Sequence, residues 1–186
     1  MQIHDLYDNR NTRYVLAKLP ASFMSEISKW IPGESMEKEL VGVEGYNVCN
    51  ELSESFKNYL YTLANCLTSE DLEIDSAWMN FMYKHEFQPP HYHAKKLSFV
   101  IWYETPYDIS DEINTAKVAM HSKDGQFYFV YAEPSKDGEV KIKYLPADSS
   151  WNGTIAMFPA NLMHGVHPFK TSNKPRISIA GNLKII

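Results

Sequence analysis

The chain lacks three things whose absence excludes whole classes of protein: many cysteines, a long apolar run and an excess of positive charge. Its 186 residues contain only 2 cysteines, Cys49 and Cys66, outside any CxxC motif or Cys/His pair, so we expect reduced thiols. No apolar run reaches the length of a membrane span, and the first residues lack the charged-then-apolar order of a targeting segment. The net charge of −5 argues against non-specific binding to nucleic acid. We therefore expect a cytoplasmic protein that binds neither membranes nor the nucleic-acid backbone.

The composition favours a folded domain with a β-rich core. Hydrophobic residues make up 44% of the chain and aromatic residues 13%, and large aromatic side chains pack well on pleated sheets. The length of 186 residues suits one domain with a sizeable core. We expect a single domain over 1–186, with a helical buttress at 1–74 and the β core at 75–186.

Periodicity in the first third predicts two helices and one short strand. Apolar residues recur at helical spacing from Phe23 until Pro32-Gly33 ends the first helix. A longer amphipathic stripe begins at an expected N-cap, Asn50, and runs to about Leu67. The apolar run at 14–17 predicts an edge strand.

After residue 70 the pattern changes to short strand-like segments separated by turns. Glycines in the turns at 123–125, 136–138 and 151–153 supply the positive φ that tight turns need. About eight short strands with no helix between them predict a sandwich or jelly roll and exclude a βαβ sheet. The strands are predicted near 75–84, 97–103, 115–121, 126–131, 140–145, 153–159, 164–169 and 175–184.

A pair of histidines, His91 and His93, is the strongest sign of chemistry in the sequence. The two residues are two apart, so both imidazoles face the same side of an extended backbone, where they can chelate a first-row metal. Pro89 and Pro90 come directly before them and restrict the backbone. A single histidine in a strand is more often an ordinary polar residue, and the spacing is what favours a metal site.

A third ligand is expected from a distant strand, and two histidines compete for that place. His164 and His167 both follow the strand at 153–159, and we prefer His164 for its spacing to Arg176. A set of three imidazoles suits Zn²⁺, Fe²⁺, Cu²⁺ or Ni²⁺, so the ligands alone leave the metal open. The histidines with no partner pattern are His4, His85 and His121.

Arg176 adds an anion-binding group to this set. In the segment 176–180, Arg176 and Ser178 share one face of a strand, and Ile177 and Ile179 share the other. A guanidinium beside a hydroxyl inside an apolar barrel suits capture of a carboxylate. Taken alone, Arg176 would be interpreted as an exposed edge charge, and the three histidines before it favour a buried position instead.

The ordered set of motifs resembles the 2-oxoglutarate/Fe(II)-dependent oxygenase superfamily, whose core is a double-stranded β-helix. Some oxygenases of bacteria and their viruses carry a Pro-Pro-His-x-His stretch before a strand containing Ser, and later a Phe-Pro…His…Arg-Ile-Ser-Ile stretch. Here these are the segments 89–93 with Ser98, 158–159 with His164, and 176–179. The resemblance covers roughly 75–186, and it implies a mainly β, cupin-like jelly roll buttressed by the two helices.

The resemblance also implies cofactors and roles. His91 and His164 would be ligands of Fe(II), and Arg176, helped by Ser178, would pair with the distal carboxylate of the co-substrate 2-oxoglutarate. Asn80 lies where some relatives use an Asn to contact the same co-substrate. The expected chemistry is decarboxylation of 2-oxoglutarate to succinate, coupled to hydroxylation of a C–H bond of a small-molecule or peptide substrate.

His93 departs from the usual pattern of the superfamily. Most members carry Asp or Glu at this place, and an imidazole leaves one more positive charge on the metal, which favours anionic co-ligands. Two other functions therefore stay open. One is a three-histidine cupin-type dioxygenase that needs no 2-oxoglutarate, and the other is a non-enzymatic metal-binding jelly roll.

Two features outside the histidine set carry weaker expectations. The polar loop at 104–115 follows the strand after the histidine pair, and functional loops border the mouths of such barrels, so we expect it to help form a lid. Lys95 and Lys96 could steer an anionic substrate, but solvated surface charges are the simpler interpretation. The oligomeric state, a homodimer included, cannot be read from the sequence.

Overall fold

Two antiparallel sheets and three helices make up the part of the chain that is described. The computed structural model describes residues 3–9, 12–32, 45–115, 123–132 and 139–186. The helices are α1 (Ala21–Ile27), α2 (Glu54–Ala64) and α3 (Ile109–Thr115). The strands are β1 (Ile3–Asn9), β2 (Thr12–Lys18), β3 (Tyr46–Asn47), β4 (Leu72–Met82), β5 (Gln88–His91), β6 (Leu97–Glu104), β7 (Phe127–Ala132), β8 (Val140–Leu145), β9 (Thr154–Pro159), β10 (Met163–Val166) and β11 (Arg176–Ile185).

The sheets differ in size, and strands far apart in sequence are neighbours in both. The major sheet has the order β1-β2-β9-β6-β11-β4-β3, and the minor sheet the order β5-β10-β7-β8. All paired strands are antiparallel. This architecture is a jelly roll, which confirms the predicted fold class. None of the described helices is long and apolar enough to cross a membrane.

The major sheet packs on both of its faces, which is why its central strands are apolar almost throughout. On the outer face, residues such as Phe99, Ile101 and Ile179 join the helix residues Phe56 and Leu60 in one buried cluster. On the inner face, a second buried cluster lies between the two sheets. Alternation along each strand therefore sends one set of side chains to the helices and the other toward the minor sheet. Helices α1 and α2 buttress the sheet, as predicted.

The predicted edge strand lies inside the sheet. The run at 14–17 belongs to β2, which pairs with β1 on one side and with β9 on the other. Periodicity could not reveal this, because the pairing partner β9 lies about 140 residues later and burial on both faces leaves no alternation to read. The first third thus contributes strands as well as helices.

The second helix begins three residues later than predicted. Its N-cap is Ser53, whose side chain accepts a hydrogen bond from the backbone N–H of Phe56, and the helix ends at Ala64. Asn50 instead lies in a short 3₁₀ turn, Cys49–Glu51. Both Asn and Ser are favourable N-caps, so composition alone did not distinguish them.

The segment predicted as a polar loop at 104–115 contains a helix, α3, and the predicted strand at 115–121 begins inside it. Thr115 is the last residue of α3, and the rest of that strand and the turn at 136–138 lie outside the described residues. Two of the predicted glycine turns are confirmed, since Gly125 has a φ of 76° and Gly153 a φ of 78°. The helix was missed because 109–115 is short and polar and carries no apolar period.

Candidate metal centre

Three histidines meet where β5, an edge strand of the minor sheet, lies beside its neighbour β10. His91 is the last residue of β5, His93 follows it by two, and His164 on β10 is directly opposite His91 in the antiparallel register. One ligand atom from each of the three side chains lies within 4.8 Å of the others. The pairing of β5 with β10 therefore brings together residues that are about 70 positions apart in sequence.

Backbone carbonyls fix the orientation of two of the rings. The Nδ1 atom of His91 lies 2.8 Å from the carbonyl oxygen of Pro89, and Nδ1 of His164 lies 2.8 Å from the carbonyl oxygen of Leu162. A carbonyl can only accept, so Nδ1 of each ring carries the proton and donates it. In a neutral imidazole this leaves the Nε2 lone pair free, and a hydrogen bond of this kind is how metal-bound histidines are held.

Burial favours the neutral, metal-binding form of His164 and His93. His164 is buried, and the loss of solvent lowers its pKa to about 4, with smaller contributions from the charges of His91 and His93. Burial also lowers the pKa of His93, and the charge of His91 acts in the same direction. Neutral imidazoles with free lone pairs at this separation fit a divalent first-row metal ion.

Arg176 lies in the same pocket and is almost completely buried, with 3% of its surface exposed. Its Nη1 donates to the hydroxyl of Tyr107 at 2.7 Å and to the carbonyl oxygen of Gly125 at 3.3 Å, and its Nη2 contacts the sulfur of Met82. Among the described residues, Arg176 has no carboxylate partner. The interpretation as an exposed edge charge is therefore wrong.

Tyr107 connects Arg176 to two other segments. Its hydroxyl donates to the carbonyl oxygen of Gly125 at 2.6 Å, and its ring stacks on Phe169 at a centroid distance of 4.7 Å. Burial raises the pKa of Tyr107, and the nearby guanidinium acts against that rise. The Tyr107 ring lies very close to the backbone of Gly125, since a Cβ added at Gly125 would lie 2.6 Å from that ring. Sequence reasoning missed Tyr107, because nothing in the local pattern indicates which distant groups it meets.

Ser178 and Asn80 extend the row of polar groups that begins with Arg176. They are direct cross-strand partners in the pairing of β11 with β4. Both side chains are half-buried, both line the pocket, and neither hydroxyl nor amide is hydrogen-bonded to any other described residue. The pocket is lined by Trp78, Asn80, Met82, Gln88, His91, His93, Ser98, Phe99, Val100, Trp102, Phe127, Phe158, His164, Val166, Arg176, Ser178, Ala180 and Gly181.

His167, the rejected candidate for the third place, lies outside this pocket lining. Its backbone N–H donates to the carbonyl oxygen of Gln126, and its ring packs against Tyr128 at a centroid distance of 4.7 Å. His85 adopts a positive φ of 72° away from the pocket lining. The side chains of His4 and His121 lie outside the described residues.

The two lysines after the histidine pair form ion pairs on the surface. Lys95 contacts Asp75 at 2.9 Å, and Lys96 contacts Glu70. Ser98, which belongs to the motif that resembles the oxygenases, donates to the side-chain oxygen of the buried Asn182 at 2.7 Å. These contacts give all three residues structural partners.

A family model described as "Putative 2OG-Fe(II) oxygenase" matches residues 76–182, which is more than half of the chain. The match includes the three histidines, Arg176, Ser178 and Asn80. The comparison with curated protein sequences gives no match.

Three solved structures share the fold at low sequence identity. A prolyl-4-hydroxylase from Pseudomonas putida is 14% identical with a TM-score of 0.52, over 93% of this chain and 88% of that one. The α-ketoglutarate-dependent epimerase SnoN from nogalamycin biosynthesis is 14% identical with a TM-score of 0.58, over 92% and 76%. HygX from Streptomyces hygroscopicus, solved with nickel and 2-oxoglutarate bound, is 12% identical with a TM-score of 0.54, over 93% and 82%.

Proposed function

The chain belongs to the 2OG-Fe(II) oxygenase family, and from this premise we propose which residues hold the iron and the co-substrate and what the enzyme does with them. The protein is a non-haem, Fe(II)- and 2-oxoglutarate-dependent oxygenase. His91, His93 and His164 would hold the iron. Arg176, with Ser178 and Asn80, would hold the distal carboxylate of 2-oxoglutarate.

The observation that carries this assignment is the buried guanidinium of Arg176. A buried charge is costly unless a partner of opposite charge compensates it. The hydrogen-bond partners of Arg176 are a phenol, a carbonyl and a thioether, and none of them is an anion. A carboxylate that enters the pocket would supply the missing partner, and Ser178 and Asn80 offer uncommitted donors beside it.

The chain's own residues do three things for the reaction. The imidazoles present neutral ligands, because burial keeps the pKa of His164 at about 4. Arg176 and its neighbours bind and orient the co-substrate. The buried apolar side chains of Trp102, Phe127 and Phe158 line the pocket and exclude water, and the rings of Phe127 and Phe158 pack against His164. Iron and 2-oxoglutarate, when bound, supply the activation of O₂ and the oxidative decarboxylation to succinate. The substrate oxidation we propose is hydroxylation of a C–H bond.

The experiment that tests the assignment is an anaerobic titration of the metal-free protein with Fe(II) and then 2-oxoglutarate. The chelate gives a weak visible charge-transfer band, which we expect for the wild type. We expect Arg176→Ala to bind Fe(II) normally and to lose the band. Arg13→Ala is the matched control, because Arg13 is exposed and bonds only to the backbone carbonyls of Cys66 and Leu67.

Two results would contradict the assignment. If Arg176→Ala binds 2-oxoglutarate as the wild type does, the guanidinium is not the anchor. If iron binds but 2-oxoglutarate produces no band in the wild type, the site works as a three-histidine dioxygenase, which the imidazole of His93 favours. The small-molecule or peptide substrate and the cytoplasmic location stay predictions, and the oligomeric state, a homodimer included, stays open.

A further inference from the structure

None of the described residues that line the pocket is acidic. Arg176 is the only one of them with a formal charge, and the three histidines would bind a metal ion as neutral imidazoles. One acidic residue of the described chain is fully buried, Glu112, and it lies outside the lining. Its oxygens accept from the backbone N–H groups of Lys170 and Thr171, each at 2.8 Å, and from the Thr171 hydroxyl.

This composition leaves a positive charge in the loaded site. A divalent iron ion and the Arg176 guanidinium bring three positive charges, and the 2-oxoglutarate dianion brings two negative ones. Since no carboxylate among the lining residues cancels the remainder, one positive charge stays within the pocket.

The walls of the pocket make that charge costly to leave uncompensated. Phe127, Phe158 and Trp102 line it, and all three are buried. In such a low-dielectric environment the attraction between opposite charges is several times stronger than in water. A negative group placed in the pocket is therefore favoured over a neutral group of the same shape.

The place for this group is the half-exposed end of the pocket. The buried end belongs to Arg176 and the co-substrate, whereas His91, His93 and Gln88 are half-buried where β5 borders the pocket. The side-chain amide of Gln88 is not hydrogen-bonded to any other described residue, so its N–H groups can donate to an incoming ligand.

We propose that the prime substrate carries an anionic group of the carboxylate class, which lies beside His91 and His93 within reach of the Gln88 amide. This inference deepens the proposed function and rests on it, because the charge balance holds only when iron and 2-oxoglutarate occupy the pocket.

The test compares acetate with acetamide, which have nearly the same shape and differ in charge. Each is titrated into the anaerobic wild-type protein loaded with Fe(II) and 2-oxoglutarate, and the position of the charge-transfer band reports binding. Retained 2-oxoglutarate is measured after ultrafiltration. We expect acetate to shift the band, with the co-substrate retained, at concentrations at least about tenfold below those of acetamide.

A second measurement uses the variant His93→Asp, which adds a carboxylate to the pocket. In His93→Asp the pocket gains one negative charge, so we expect acetate to bind about tenfold more weakly or worse. Asn58→Asp is the matched control, because it adds the same charge on the exposed side of α2, away from the pocket lining, and we expect it to bind acetate as the wild type does. If His93→Asp does not hold iron, the comparison of acetate with acetamide in the wild-type protein decides alone.

The outcomes separate this inference from its premise. Equal binding of acetate and acetamide overturns it, and so does acetate that displaces 2-oxoglutarate instead of binding beside it. Equal acetate affinity in the wild type and an iron-loaded His93→Asp also overturns it. Absence of the band before any acetate is added overturns the proposed function instead.

Discussion

The two ends of the pocket are held in different ways. At the Arg176 end, the guanidinium is 3% exposed, and its contacts to Tyr107, Gly125 and Met82 come from three separate segments of the chain. At the histidine end, His91 and His93 are half-buried, and the restraint on the His91 ring comes from Pro89, two residues away. The first end is built by contacts from three segments, whereas the second combines the pairing of β5 with β10 with local hydrogen bonds that hold the rings of His91 and His164. A buried guanidinium with several contacts suits the binding of one constant co-substrate. A half-buried end suits the entry of a substrate.

The largest effect is expected from removing one of the histidine ligands. His164→Ala removes one of three ligands, so we expect affinity for Fe(II) to fall more than about 100-fold, beyond the loss typical of residues that only support a ligand. Metal content after dialysis, measured by atomic emission, checks this. His167→Ala is the control, since His167 lies on the neighbouring segment outside the pocket lining and should leave the metal content unchanged. Normal iron in His164→Ala would remove His164 from the ligand set.

The second effect concerns how the free energy of unfolding of the metal-free protein depends on pH. The unfolded chain binds a proton at the ordinary His pKa of 6.5, and folded His164 does so only at about 4. Between these values the unfolded state holds more protons, so stability falls as the pH falls from 6.5 to 4, by about 3 kcal/mol at most.

Urea unfolding of the metal-free protein across this pH window measures the effect. In His164→Asn the side chain no longer titrates, so we expect the dependence on pH to become flatter by a similar amount. An unchanged slope in the variant would show that other groups produce the dependence. His93 adds to the slope in the same direction, because burial lowers its pKa as well.

The smallest expected effect comes from removing the Tyr107 hydroxyl at the Arg176 end of the pocket. Tyr107→Phe keeps the ring that stacks on Phe169 and removes the hydroxyl that accepts from Arg176. A hydrogen bond to a charged group contributes about 1.5–3 kcal/mol, so we expect affinity for 2-oxoglutarate to fall roughly tenfold to 100-fold with Fe(II) binding unchanged. Tyr107 would then be a positioning residue that acts through Arg176.

The control for this variant removes a comparable hydroxyl elsewhere. Tyr59→Phe deletes a half-buried hydroxyl that donates to the backbone carbonyl of Lys18, away from the pocket lining. Equal losses of co-substrate affinity in the two variants would point to general destabilisation. A loss confined to Tyr107→Phe would support the positioning role.

Sequence reasoning reached the β-rich core and the His91/His93 pair because both depend on short-range rules, whereas His164 joins them only through the pairing of β5 with β10. Side chains alternate along a strand, so Arg176 and Ser178 lie on one face. His91 and His93 are also separated by one residue and therefore lie on the same side of the backbone. The choice of His164 over His167 agrees with the register of β10, in which His164 lies opposite His91. Where the prediction was wrong, as with the edge position of the strand at 14–17 and the loop expected at 104–115, the answer depended on partners elsewhere in the chain.

The local pattern of residues was therefore enough to identify the short strands, the His91/His93 pair and the shared face of Arg176 and Ser178, since each depends on spacing within a few residues. It could not show that Arg176 has no carboxylate partner among the described residues, that Tyr107 holds the guanidinium, or that the described lining of the pocket is free of acidic side chains. Those features follow from how the loop before α3, the turn at Gly125 and β11 pack together. The physical reason is that burial and pairing of a charge depend on every segment that surrounds it, and those segments are brought together only by the tertiary fold.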